Sequence, residues 1–287
     1  MDLLLNKIYE GSALNVLNEL PENSVNMCVT SPPYWGLRDY QTNPAKWNDG
    51  WSGELGAEAE AKDYINHLCD IFDGVKRVLR EDGTCWVNIG DTYKKKCLCM
   101  IPFLFALEMV NRGWILRNVI IWHKPRCVPL GVKDRFTVDF EYIFFFSKKT
   151  KYYFEQQLEP FKSSTLKHTA KCSVSEKSKY YQGFCAEHQR KYQQKLLNNE
   201  LKGRNKRTVW SISPQSFHGD HTATYPLKLI ETPIKAGCPE NGVVLDPFIG
   251  SGTTAMVAEQ LNRNWVGIEL NPKYIEMAEE RIRNARP

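Results

Sequence analysis

At 287 residues, 42% hydrophobic and 25% charged, the chain is sized and composed for one large globular α/β domain with room for an insertion. Its apolar runs are too short to span a membrane, its N-terminus lacks the basic start and small-residue cleavage site of a signal peptide, and its nine cysteines fall at irregular spacing. A cytoplasmic protein with reduced thiols is expected, rather than a disulfide-stapled or membrane-bound one.

In chain order, Lys7-Ile8-Tyr9 reads as a short strand, followed by a turn at Glu10-Gly11-Ser12 and a helix over 13–20 that Pro21 stops. The apolar run 25–29 is a buried strand that ends in Thr30-Ser31-Pro32-Pro33-Tyr34-Trp35. Residues 36–58, rich in Gly, Asn, Asp and Trp without periodicity, read as a long loop. Tyr64, Leu68, Ile71, Phe72, Val75, Val78 and Leu79 mark an amphipathic helix closed by Glu81-Asp82-Gly83. A strand over 84–89 then leads to Gly90-Asp91, and a helix is predicted over 102–111. Strands over 115–122 and 140–147 are joined by a basic loop, 123–134.

Beyond residue 147 the composition changes. Residues 148–207 carry 15 Lys and Arg against 5 Glu, a net +10, in a chain whose remainder is net −5. Aromatics such as Tyr152, Tyr153, Phe154, Tyr180 and Tyr181 are interleaved with those charges, as on surfaces that neutralise phosphates and offer rings to bases. After this segment come a helix over 225–236, a strand over 243–245, a glycine loop, a helix over 253–261, a strand over 265–270 and a helix over 272–283. Apolar strands alternating with helices predict a mostly parallel, doubly wound sheet whose ligands bind at the strands' carboxyl ends.

Two loops at those ends carry the chemistry. In Asp246-Pro247-Phe248-Ile249-Gly250-Ser251-Gly252-Thr253-Thr254, the glycines allow a tight turn into a helix and close backbone approach to a ligand. Glu269 ends the next strand with 22 residues between it and Asp246, where a carboxylate accepts hydrogen bonds from ribose hydroxyls. No Walker lysine follows the glycines, which argues against a nucleoside triphosphate. In the earlier loop, Pro32 and Pro33 have no N–H and fixed φ, so they project carbonyl oxygens beside Ser31 Oγ and the Tyr34 ring. Such a rigid acceptor array suits an exocyclic amino group held edge-on.

Together the two strings resemble the paired signatures of the S-adenosylmethionine-dependent DNA amino-methyltransferases, in the motif order of that family's β group. The resemblance covers nearly the whole chain except the basic insert. It implies a Rossmann-like methyltransferase fold with circularly permuted motif order: 1–147 as the catalytic half, 148–210 as a target-recognition insert and 211–287 as the cofactor-binding half. It also implies S-adenosyl-L-methionine as cofactor, held by Asp246, Phe248, Gly250, Gly252, Thr253 and Glu269, with His221 and Thr222 completing the methionine pocket. Ser12 replaces the Asp that this family often has after Gly11 and stands at the adenine edge. Ser31, Pro32, Pro33 and Tyr34 are the catalytic positions, acting on a base flipped out of double-stranded DNA by a monomer or a homodimer.

Ser at the first position of Ser-Pro-Pro-Tyr resembles the cytosine-N4 enzymes; an adenine-N6 enzyme, or a binder that has lost the chemistry, are the alternatives. A carbon-5 cytosine enzyme is disfavoured, because none of the nine cysteines follows a proline. Trp35 either widens the stacking platform or packs in the wall. Asp91 is either an edge residue of the site or a turn cap, and Lys124 and Arg126 are candidates for phosphate contacts or plain surface charges. His168, Cys172, Cys185 and His188 lack the usual zinc spacing, so no metal is expected.

Overall fold

The computed structural model describes residues 3–37, 44–127, 131–161, 191, 192, 194–196, 198, 200–214 and 225–286. They divide into two compact units, one formed by 1–155 with 208–287 and the other by 156–207.

The larger unit is built on an eight-stranded sheet. In chain order its strands are β1 (Lys7–Glu10), β2 (Val25–Thr30), β5 (Leu79–Ile89), β8 (Ile115–His123), β9 (Phe140–Ser147), β12 (Val209–Ser211), β13 (Val243–Asp246) and β14 (Asn264–Glu269). Two-residue strands β3 (Ala45–Lys46) and β4 (Ser52–Gly53) form one small ribbon, and β6 (Tyr93–Lys94) and β7 (Cys97–Leu98) another. Across the main sheet the order is β1-β14-β13-β2-β5-β9-β8-β12. Every neighbouring pair is parallel except those made by β9, which is antiparallel to both β5 and β8.

Alternate residues of the central strands feed two cores. Cys85, Val87 and Ile89 of β5, with Phe144 and Phe146 of β9, face helices α1 (Ala13–Glu19), α2 (Ala61–Val78) and α3 (Ile101–Asn111). Trp86, Ile143 and Phe145 point the other way, towards α4 (Leu227–Gly237), α5 (Thr253–Gln260) and α6 (Pro272–Ala285). Strands buried on both faces read as continuous apolar runs, which is why they were visible in the sequence.

Three boundaries differ from expectation. Residues 79–83 extend β5 rather than close a helix, because Leu79 pairs with Val25 across an irregularity in register. Val209–Ser211 joins the main sheet as β12, and Tyr153 and Glu155 donate backbone N–H bonds to Asp82 and Ala236, so the separate unit is narrower than 148–210. Within that unit β10 (Leu158–Glu159) pairs antiparallel with β11 (Arg204–Asn205), and Glu159 holds Arg204 and Arg207 at 2.8 and 3.0 Å. No described helix is long and apolar enough to cross a membrane, and the seven described cysteines are unbonded thiols.

Candidate active site

Because β2, β5, β13 and β14 run parallel, Thr30, Ile89, Asp246 and Glu269 arrive at one edge of the sheet. The reversed β9 brings its first residues, Phe140 and Glu141, to that same edge. The two signature loops meet there: Thr30 Oγ1 donates to Asp246 Oδ1 at 2.6 Å. Between them lies a cavity of about 460 Å³. Ser31, Pro32, Pro33 and Tyr34 line it, as do Ser12, Phe248, Gly250, Thr253 and Glu269.

On the side of the glycine loop, Glu269 is the organising group. Its Oε2 accepts from Gly250 N (3.0 Å), and its Oε1 accepts from Leu270 N and Asn271 N (2.9 Å each). Burial pushes its carboxyl pKa up, and these three backbone donors oppose the rise. A carboxylate has about four lone-pair sites, so one remains for a ligand hydroxyl. Gly250 and Gly252 have φ of +49° and +82°, which an L side chain adopts only with strain. A Cβ on Gly252 would also lie 3.1 Å from Ala278 Cβ, so this glycine lets α5 start against α6 and does not line the cavity.

Asp246, expected among the cofactor positions, turns its carboxylate onto protein donors. It is buried and does not line the cavity. Its two oxygens accept from Thr30 Oγ1 (2.6 Å), Phe248 N (3.0 Å), Tyr225 OH (3.1 Å) and Thr254 Oγ1 (2.5 Å). Burial raises its pKa, against the pull of those donors. It ties the two loops together instead of reaching into the space between them. Ser12 faces the cavity and also caps α1, its Oγ accepting from Asn15 N at 3.3 Å. His221 and Thr222 lie outside the described residues, as do His168, Cys172, Cys185 and His188.

The Ser-Pro-Pro-Tyr side is a polar chain. Ser31 Oγ donates to Tyr34 OH (3.2 Å), and Tyr34 OH donates to Glu141 Oε2 (2.8 Å). Asn88 Nδ2 donates to both Tyr34 OH (2.8 Å) and Glu141 Oε2 (2.7 Å). Lys124 Nζ closes the chain on Glu141 Oε1 while lying 4.4 Å from the Trp122 ring centroid. Burial foremost, with the charge of Glu141 adding, pushes the Tyr34 phenol well above its ordinary pKa, so it stays protonated. Tyr64 OH occupies the Pro33 carbonyl (2.8 Å), whereas nothing among the described residues donates to the Pro32 carbonyl.

Gly90 makes room for the tyrosine. A Cβ there would lie 2.8 Å from Tyr34 Cε2, inside contact distance. Gly90→Ala should therefore displace the ring, lower kcat by about 10-fold or more and leave the melting temperature nearly unchanged, since a misplacement near 1 Å at a reacting group is costly. Steady-state kinetics beside a thermal melt checks this; native kcat in the variant would mean that the ring's position is not critical.

The neighbouring residues resolve into simpler roles. Trp35 is buried and its Nε1 donates to the Glu58 carbonyl at 2.8 Å, so it packs in the wall. Asp91 Oδ1 accepts from Thr92 N (2.8 Å) and Ile101 N (3.1 Å), which makes it the cap that starts α3. Lys124 is turned towards Glu141. The loop bearing Trp47, Glu54 and Leu55, all on the cavity wall, is clasped to α2 by His67. That ring stacks against both Trp47 and Trp51 (centroids 4.4 and 5.0 Å), with its nitrogens on Glu58 and Asp49 at 2.9 and 3.1 Å.

Asn88 and Glu141 were not anticipated. Asn88 sits inside an apolar strand, and Glu141 reaches the site only because β9 runs backwards, which no local pattern encodes.

Comparison with known proteins accords with this geometry. The family model for N6/N4 methyltransferases, described as DNA methylase, matches residues 25–280. The Type II methyltransferase M.Cfr9I of Citrobacter freundii is 37% identical over 96% of this chain and 87% of its own length. M.SmaI of Serratia marcescens is 36% identical over 98% and 91%. Among solved structures, the cytosine-N4-specific PvuII DNA methyltransferase superposes with a TM-score of 0.67 at 21% identity, covering 97% of this chain and 90% of that one. TTHA0409 of Thermus thermophilus, solved in complex with S-adenosyl-L-methionine, gives 0.62 at 24% identity, with coverage of 98% and 95%.

Proposed function

The chain belongs to the N6/N4 family of DNA methylases, and from that premise we propose that it is a Type II methyltransferase that methylates the N4 amino group of a cytosine flipped out of duplex DNA. The observation that carries this reading is the pair of acceptors, Ser31 Oγ and the Pro32 carbonyl, on a cavity wall tied to the glycine loop through Thr30 and Asp246.

The cavity fits S-adenosyl-L-methionine. Glu269 keeps a lone pair for a ribose hydroxyl, Ser12 offers a polar edge, Phe248 gives an apolar wall, and the Gly250 backbone allows close approach. When bound, the cofactor supplies an electrophilic methyl carbon on a sulfonium leaving group. The protein's residues deal with the amine, a poor nucleophile because its lone pair is delocalised into the ring. Ser31 Oγ and the Pro32 carbonyl accept its N–H bonds, which draws the nitrogen towards tetrahedral geometry and localises that pair. Orientation and fixed dipoles provide the acceleration. Tyr34, its hydroxyl anchored, presents a ring on which the flipped base stacks, offsetting part of the few kcal/mol of unstacking. Residues 156–207, with their excess of positive charge, are the sequence-reading element. Ser31, rather than Asp or Asn, favours cytosine over adenine.

DNA recovered from cells expressing the protein, digested to nucleosides and resolved by mass spectrometry, should contain N4-methylcytosine. N6-methyladenine in its place would overturn the choice of base. No methylated base at all would favour a binding protein of the same fold.

A further inference from the structure

The hydrogen-bond chain behind Ser31 has a fixed direction, and one residue sets it. An ionised carboxylate can only accept, so Glu141 compels the Tyr34 hydroxyl to point its proton at Oε2 and not at Ser31. Tyr34 Oη then has both acceptor positions filled, by Asn88 Nδ2 and by Ser31 Oγ. The Ser31 proton is thereby drawn inward, leaving its lone pairs to face the cavity. A lone serine rotor has no such preference and would as readily present its proton to the incoming amine.

From this we propose that Glu141 is a positioning residue and the terminal proton acceptor of the reaction, acting through Tyr34 and Ser31. The inference rests on the amino-methyltransferase reading above and adds to it a route for the proton. After methylation the amine nitrogen holds one proton too many. It gives that proton to a Ser31 Oγ lone pair as Ser31 passes its own to Tyr34 Oη and Tyr34 passes its own to Glu141 Oε2. Each hydroxyl loses one proton as it gains one, so the net change is a neutral amine and a protonated Glu141, which returns the proton to solvent. The donor–acceptor distances along this path, 3.2 and 2.8 Å, are within reach for transfer.

The groups facing Glu141 are one cation and two hydrogen-bond donors. Lys124 Nζ contacts Oε1, and Asn88 Nδ2 and Tyr34 OH both donate to Oε2. The Asn88 amide is itself oriented by this contact, because the reverse orientation would set its oxygen against the carboxylate. Its Oδ1 is left buried without a partner among the described residues. His123 and Asp139, the next titratable groups on β8 and before β9, lie towards each other at 3.6 Å.

Two variants test the assignment. Glu141→Gln keeps the shape but can donate as well as accept, so the direction of the chain is lost. Its kcat should fall about 30- to 100-fold while the KM values for DNA and cofactor change less than about 3-fold, and the acid limb of the pH–rate profile should vanish. Lys124→Met removes the neighbouring cation, which makes Glu141 easier to protonate. The acid limb should then move to higher pH. The same displacement should appear in a carbon-13 titration of the Glu141 carboxyl with neither DNA nor cofactor present. Native kcat in Glu141→Gln, or an acid limb unmoved in both variants, would overturn the role of Glu141 and leave the methyltransferase reading intact. Absence of any methylated base with the unsubstituted protein would strike that reading instead.

Discussion

Ser31→Ala should lower kcat by roughly 10²- to 10³-fold, the scale seen when one preorganised polar group is removed from a transition state. The hydroxyl fills two offices: it accepts an amine N–H from the cavity side and donates inward to Tyr34 OH at 3.2 Å. Alanine leaves the Pro32 carbonyl as the only acceptor beside the base and leaves Tyr34 one donor short. Neither change touches the glycine loop or the positively charged segment, so the KM values for cofactor and DNA should stay within about 3-fold. Binding and turnover measured on the same preparation separate these outcomes. Unchanged turnover would remove Ser31 from the chemistry.

Asp246→Ala should destabilise the protein by about 3–5 kcal/mol, the result of stripping a buried carboxylate from donors that cannot reach water. Four donors converge on it, from Thr30, Thr254, Tyr225 and the Phe248 backbone. Hydroxyls can rotate towards substitutes, so the four penalties do not add in full. At roughly 2–4 °C per kcal/mol for a domain of this size, the melting temperature should drop by about 10 °C. A residue that only contacted the cofactor would behave otherwise, with a normal melt and lost binding. A ligand-free melting temperature within about 2 °C of the unsubstituted protein would return Asp246 to that simpler role.

The two signature loops were legible because proline and glycine write their backbone conformations directly into the sequence. Pro32 and Pro33 fix φ, and Gly250 and Gly252 occupy conformations other residues avoid. The sheet was legible for a related reason: strands covered on both faces are plain apolar runs, and helices between them imply parallel pairing. What stayed hidden depends on contacts between distant segments. Glu141 looked like the polar start of a strand, and its entry into the site follows from the direction of β9 between β5 and β8. His67 is one polar position on the predicted helix, and only the fold brings Trp47 and Trp51 against its ring. Asp246 was found by its motif, but a motif gives position along the chain and not which way a carboxylate turns.

The bond from Thr30 to Asp246 spans 216 positions of the chain, and β13 pairs directly with β2. During translation, at about 5–20 residues per second, β2 is made roughly 10–40 s before its neighbour exists. For that interval an apolar strand, Val25–Thr30, has a bare hydrogen-bonding edge, the kind of template on which nascent chains aggregate. Yield in the cell should thus depend on holdase chaperones that shield the early half until the late half leaves the ribosome.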